Sequence, residues 1–205
     1  MQKLFCLAFL SIAANATIIY VDSEASNTTN SSSHPTLDLA GRLHPNAVWA
    51  APLPDSDWIS YGSTGDPTDP GYFSPPDGLV VMFTTHFILI GAITGGSLDV
   101  LADDSTSVIL NGHKLIAADT KPASKCSKAA IGCLASTEGI FTFAQLAPYL
   151  VDGTNTLSFG VEQVAGSSFG LDFAGQLDDA PTPEPATVAF IGAGLIGLIA
   201  LRLRT

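Results

Sequence analysis

The dipeptide Asn111-Gly112 stands between two apolar runs in "TSVILNGHKLI". A two-residue hairpin turn needs positive φ at both central positions, and Asn and Gly adopt it at least cost. The pair therefore predicts that Val108–Leu110 and Lys114–Ile116 lie antiparallel. The surrounding sequence continues the same pattern. "LVVMFTTHFILIGAI", Leu79 to Ile93, is β-branched and aromatic, lacks helix caps, and is long for one strand. "NTLSFGVEQV" sets Leu157, Phe159 and Val161 against Ser158, Gly160 and Glu162, the alternation of a half-buried strand. "SSFGLDFAGQL" reads the same way, and "TEGIFTFAQLAPYL" fits either a short helix before Pro148 or a strand plus turn. Short strands punctuated by turns, with few helices, predict an all-β fold, a β-sandwich or jelly roll.

The two ends follow other rules. "MQKLFCLAFLSIAANA" carries Lys3, an apolar run, and Ala14-Asn15-Ala16. That is the pattern of a secretory signal peptide over 1–16, with Ala14 and Ala16 flanking the cleavage site and signal peptidase and the export machinery as partners. At the other end Gly192, Gly194 and Gly197 fall in dinucleotide-binding spacing, G-x-G-x-x-G. That motif needs a following strand and an acidic residue about 20 positions on, and only eight residues remain. From Ala186 to Leu201 the chain is instead apolar apart from Thr187, and Arg202 and Arg204 follow. Small residues are tolerated in membrane helices and cationic flanks stay cytoplasmic. The segment reads as a single C-terminal membrane helix with the body on the far side.

Pro183-Glu184-Pro185, the apolar run, and the tip bearing Arg202 and Arg204 together resemble a PEP-CTERM sorting signal over 181–205. The tip is "RLRT" rather than an unbroken arginine run. The resemblance implies recognition by exosortase, transient anchoring in the inner membrane, and delivery to the cell envelope or beyond it. It also implies an exopolysaccharide or biofilm setting.

The body is acidic: the whole chain has a net charge of −11, and between Thr17 and Ala180 only Arg42, Lys114, Lys121, Lys125 and Lys128 are basic. A phosphate-tracking groove needs clustered cations, so nucleic acid is not an expected partner. Residues 17–36 include "DSEASNTTNSSSHPT" and read as a flexible N-terminal segment, leaving 37–180 as the β-sandwich domain. "DSDWISYGSTGDPTDPGYFSPPDG" is dense in Pro, Gly and Asp and reads as a long ordered loop. With Cys6 lost to the signal peptide, Cys126 and Cys133 remain as an even pair in an oxidising compartment. A disulfide is favoured over a zinc site, which needs about four ligands.

The order of Asp103-Asp104, Asn111-Gly112, Leu150, Gly153, Asn155 and the strand Leu157–Val161 resembles a galactose-binding-like jelly roll over roughly 98–175. That resemblance implies a fold and leaves the role open between glycan binding and structural support. Trp58, Tyr61 and Tyr72, with Trp49 and Phe73, are candidates for a sugar-stacking surface or for covers of the core end. Asp103 and Asp104 offer either part of a calcium site or a solvated turn, with Asp66, Asp69 and Asp77 a weaker calcium alternative. No metalloprotease or nucleophile-elbow spacing occurs, so no catalytic residues and no obligate cofactor are expected. The reading is a non-enzymatic exported β-sandwich, structural or glycan-associated, with a calcium-assisted carbohydrate-binding module as the alternative. A secreted hydrolase would need carboxylates converging in a cleft.

Overall fold

The computed structural model describes residues 17–39, 48–117, 126, 131–166 and 168–180. The signal peptide, its cleavage site, the membrane helix and the sorting signal lie outside the described residues. No helix among the described residues is long and apolar enough to cross a membrane.

Among the described residues the body has eleven strands. Four short ones come first: β1 (Ile18–Asp22), β2 (Thr28–Asn30), β3 (Leu37–Asp38) and β4 (Ile59–Ser60). Then follow β5 (Val80–Leu89), β6 (Ile93–Asp103), β7 (Ser105–Leu110), β8 (His113–Lys114) and β9 (Gly139–Thr142). A one-turn helix, α1 (Phe143–Leu146), precedes β10 (Gly153–Glu162) and β11 (Gly170–Asp179). The first sheet runs β3-β4-β11-β6-β9, with β1 also paired to β11, and the second runs β2-β5-β10-β7-β8. Every pairing is antiparallel. From β5 to β7 and from β9 to β11 the chain alternates between sheets, so strand neighbours are distant in sequence. This is the expected β-sandwich of jelly-roll type.

Period-two alternation fills the space between the sheets. Val81, Phe83 and Leu89 of β5 and Leu157, Phe159 and Val161 of β10 point inward from one side. Leu98, Val100 and Ala102 of β6 and Leu171, Phe173 and Leu177 of β11 meet them from the other. Phe159 and Phe173 stack across the gap, with centroids 4.4 Å apart and planes at 25°.

The hairpin turn forms as its residues dictate, with φ of 49° at Asn111 and 83° at Gly112. Ile109 pairs with Lys114 and Leu110 with His113. The ladder is shorter than expected: Leu115 still donates to the Val108 carbonyl at 2.8 Å, but Ile116 is 75% exposed beyond it. Asn111 also anchors the turn to β10. Its Nδ2 donates to the Tyr149 carbonyl and to Asn155 Oδ1, both at 2.8 Å, while its Oδ1 accepts the Thr156 N–H. Asn155, fully buried, returns bonds from Nδ2 to the carbonyls of Val151 and Gly153 and accepts the Val151 N–H.

Three expectations change in detail. The long apolar run is two strands, broken at Ile90–Ala92, where the Gly91 N–H donates to Asp152 Oδ1 at 3.3 Å. The ambiguous segment before Pro148 contains both alternatives in series, β9 and then α1. The segment expected to be flexible is instead folded: β1 pairs with β11, β2 pairs with β5, and Ser23 and Thr28 are buried. Its polar side chains satisfy one another locally, as when Asn30 Oδ1 accepts the Ser32 N–H and Asn30 Nδ2 donates to Thr36 Oγ1. Such residues hold irregular backbone in place as readily as they solvate it.

Replacing Asn155 with Ala removes its hydrogen bonds to four polar groups at once, one each on Asn111 and Gly153 and two on Val151. The expected cost is about 3 kcal/mol, since each unsatisfied buried polar group costs roughly 1–3 kcal/mol before local relaxation. Urea unfolding followed by tryptophan fluorescence measures it.

Candidate functional site

Strands β6 and β11 turn buried residues to both faces. Beyond the inward set, Leu101, Asp103 and Asp172 face away from the second sheet, yet all three are buried. The cover consists of Leu39, the chain from 48 to 58, and the disulfide of Cys126 and Cys133. Leu39, Trp58, Leu101, Cys126 and Cys133 form a second apolar cluster there. Trp58 is 1% exposed, its ring 4.3 Å from that of Trp49, and its Nε1 donates to the Ala50 carbonyl at 3.2 Å. The strand beneath must be smooth: a Cβ on Gly170 would sit 2.7 Å from Trp49 Cη2. The Ala50 N–H donates to the Cys133 carbonyl at 2.7 Å, joining the two covering segments. Cys126 and Cys133 are disulfide-bonded, as their pairing in sequence predicts.

Two acids lie under this cover. Asp172 Oδ1 accepts from Ser23 Oγ at 2.9 Å and Ser56 Oγ at 2.6 Å, and its Oδ2 accepts the Leu53 N–H at 2.8 Å. Burial raises its pKa, partly opposed by those three donors. Asp103 Oδ2 accepts the Trp49 indole N–H, and its Oδ1 is buried without a hydrogen-bond partner among the described residues. Burial pushes the Asp103 carboxyl up to about 8; the neighbouring Asp104 charge adds to this and the Trp49 bond opposes it. Asp104 Oδ2 accepts the Val164 N–H. Asp103 thus keeps its proton well above the pH at which an ordinary carboxyl releases it.

The solvated turn expected at Asp103-Asp104 is therefore corrected: their residues are 4% and 5% exposed. No group of three His, Cys, Asp or Glu side chains is arranged to hold a metal among the described residues. In the long loop the other acids are engaged separately. Asp66 Oδ1 accepts from Thr68 and Asp77 Oδ1 from the Ala165 N–H, while Asp69 Oδ2 accepts from Ser63 Oγ.

The aromatic surface is corrected as well. Trp58 and Tyr61 present no face to a sugar, because both are buried. Tyr61 packs edge-on against Phe73 at 5.4 Å and Phe169 at 5.3 Å, covering the core end. Tyr72 is half-buried, its N–H donating to the Asp69 carbonyl at 3.0 Å. What sequence reasoning missed lies elsewhere. A shallow cleft of about 320 Å³ is lined by Lys114, Ile116, Ala144, Gln145, Pro148 and Tyr149. His113 stacks on Tyr149 at its edge, with centroids 4.6 Å apart and planes at 19°. A second cavity of about 200 Å³ carries a single carboxylate, Asp152. Asp172 had no local signal, since its serine partners are 149 and 116 positions away.

Residues 181–204 match the PEP-CTERM protein-sorting motif. Pro183, Glu184, Pro185, Arg202 and Arg204 all fall within the match. The motif implies an exported protein, sorted by exosortase and anchored transiently in the membrane. PEP-CTERM sorting concerns the tail alone and leaves the sandwich unassigned. No curated protein matches the chain. Among solved structures, the native family 35 carbohydrate binding module from Clostridium thermocellum is similar at 11% identity, covering 77% of this chain and 97% of that one. Its TM-score is 0.37, a distant likeness that carries no information about a ligand here.

The buried acids set a pH dependence. An unfolded carboxyl titrates near pH 4, whereas folded Asp103 titrates at about 8 and Asp172 is also raised. Between those values the folded chain keeps protons that the unfolded chain has released, so stability falls as pH rises through the window and levels off above it. Asp103→Asn keeps an oxygen for Trp49 and removes one titrating group. The gap between urea midpoints at the two ends of the window should narrow, with a remainder from Asp172.

Proposed function

We propose that the sandwich is a non-enzymatic structural element of an extracellular matrix, carried to its place by the PEP-CTERM tail and resident among exopolysaccharide. The observation that carries this reading is the use of aromatics. Trp58, Tyr61, Phe73 and Phe169 are spent on packing within the body. A sugar-binding platform needs such rings with a free face. The acids likewise serve the fold, each tied to a neighbouring backbone or side chain donor.

A glycan-associated role has one specific observation in its favour, the His113–Tyr149 stack beside the cleft that Lys114 and Gln145 help to line. Open clefts with a ring and a few polar groups suit weak saccharide contact. Calcium at Asp103 and Asp104 has less support, because both side chains already accept protein donors.

Titration calorimetry with the producing organism's own exopolysaccharide separates the readings. The structural reading expects no saturable heat, and Tyr149→Ala indistinguishable from the parent. Saturable binding lost in Tyr149→Ala and kept in Tyr72→Ala would establish the cleft as a glycan site. Mass spectrometry of the released protein should show loss of "IGAGLIGLIALRLRT". An intact secreted species would refute processing.

A further inference from the structure

The apolar side chains that the fold leaves uncovered gather at one end. Of nine large exposed hydrophobics among the described residues, four lie there: Ile18, Ile88, Ile90 and Val151. The pairing places them. β5 ends at Leu89 opposite Gly153, where β10 begins just after Val151. β1 begins at Ile18 opposite Asp178, at the end of β11. Ile88, Ile90 and Val151 are 61%, 72% and 48% exposed, and the cavity lined by Leu89, Ile93, Phe143 and Leu150 opens among them. A monomer rarely leaves such residues together without a partner.

The chain also leaves the body at this end. β11 finishes at Asp179, paired with Ile93. Only six residues, Ala180–Pro185, separate it from the apolar run that begins at Ala186. Fully extended, they reach at most ~20 Å. The polar layer on each side of a hydrocarbon core is roughly 5–7 Å deep. With the run embedded, the apolar end is held within a short reach of the headgroups.

We infer that this end docks on the lipid surface while the tail is embedded, with Ile88, Ile90 and Val151 entering the headgroup–acyl boundary. The inference rests on the tail being a membrane anchor. The contact is conditional on the tether: a short linker supplies an effective concentration in the millimolar range, enough to populate a contact too weak to form alone. A single small apolar patch gives only reversible binding. Cutting the tail therefore ends the contact and frees the body. The rim bears Asp152, Asp178 and Asp179, so the surface that suits it is zwitterionic rather than anionic.

The test uses the full chain with Cys6→Ser, carrying one environment-sensitive fluorophore at Thr154→Cys or at Glu162→Cys. Both positions face outward on β10, opposite Ile88 and Val80 respectively, at its two ends. The protein is reconstituted in phosphatidylcholine vesicles containing headgroup-attached quencher. The docked state predicts several-fold stronger quenching at position 154 than at 162, reduced by Ile88→Asp with Ile90→Asp and by anionic phosphatidylglycerol. Equal quenching at both positions in vesicles that carry the protein overturns the docking. A spectral shift at 154 that grows with protein density and ignores the lipid quencher assigns the patch to a second copy, and also overturns it. Failure of the chain to float with the vesicles removes the anchor itself, and the docking with it.

Discussion

One end of the first sheet is covered on both faces, and much of the rest of the body follows from that. An antiparallel sheet usually packs one face and solvates the other. Here β6 and β11 place Val100, Ala102, Leu171 and Phe173 against the second sheet and Leu101, Asp103 and Asp172 against the opposite side. The outer residues need a roof. The chain from 48 to 58 supplies two tryptophans, the Cys126–Cys133 disulfide packs with Trp58, and Gly170 clears the floor for Trp49. Once the roof is in place, its buried acids must either bond or protonate, and they do both. The second sheet carries no such burden. Its outer face shows Thr84 paired with Ser158 and His86 with Thr156 across the strands, a thin polar layer suited to solvent.

The legibility of the sequence follows the range of each interaction. Asn111-Gly112 could be read because the turn is a property of two adjacent residues. The strand around Phe159 could be read because alternation over five residues reports one buried face. Asp172 could not. In "GLDFAG" it looks like the polar phase of a half-buried strand, and only Ser23 and Ser56, brought from far along the chain, make it a core residue. Trp58 and Tyr61 failed for a related reason. An aromatic in a Pro- and Gly-rich loop has the same local sequence whether the loop folds back over the core or presents the ring to a ligand. The Ser/Thr/Asn-rich segment is the mirror case: its composition fits disorder, while its partners, β5 and β11, lie outside any local window.

Address and activity are separable in this chain. The sorting motif uses 24 residues at one end and marks the protein for export and sorting. The sandwich supplies a stable, acidic, disulfide-closed body whose aromatics and acids serve packing.

The position of β11 has a consequence for the order of events as the chain is made and exported. It is the last strand among the described residues and a central one in its sheet, bonded to β1, β4 and β6. A chain emerging N-terminus first cannot complete that sheet from what is already outside; β1 and β4 wait for a partner about 150 and 110 residues behind them. Six residues after that partner the apolar run begins. Closure of the body and arrival of the anchor at the bilayer are therefore almost the same moment.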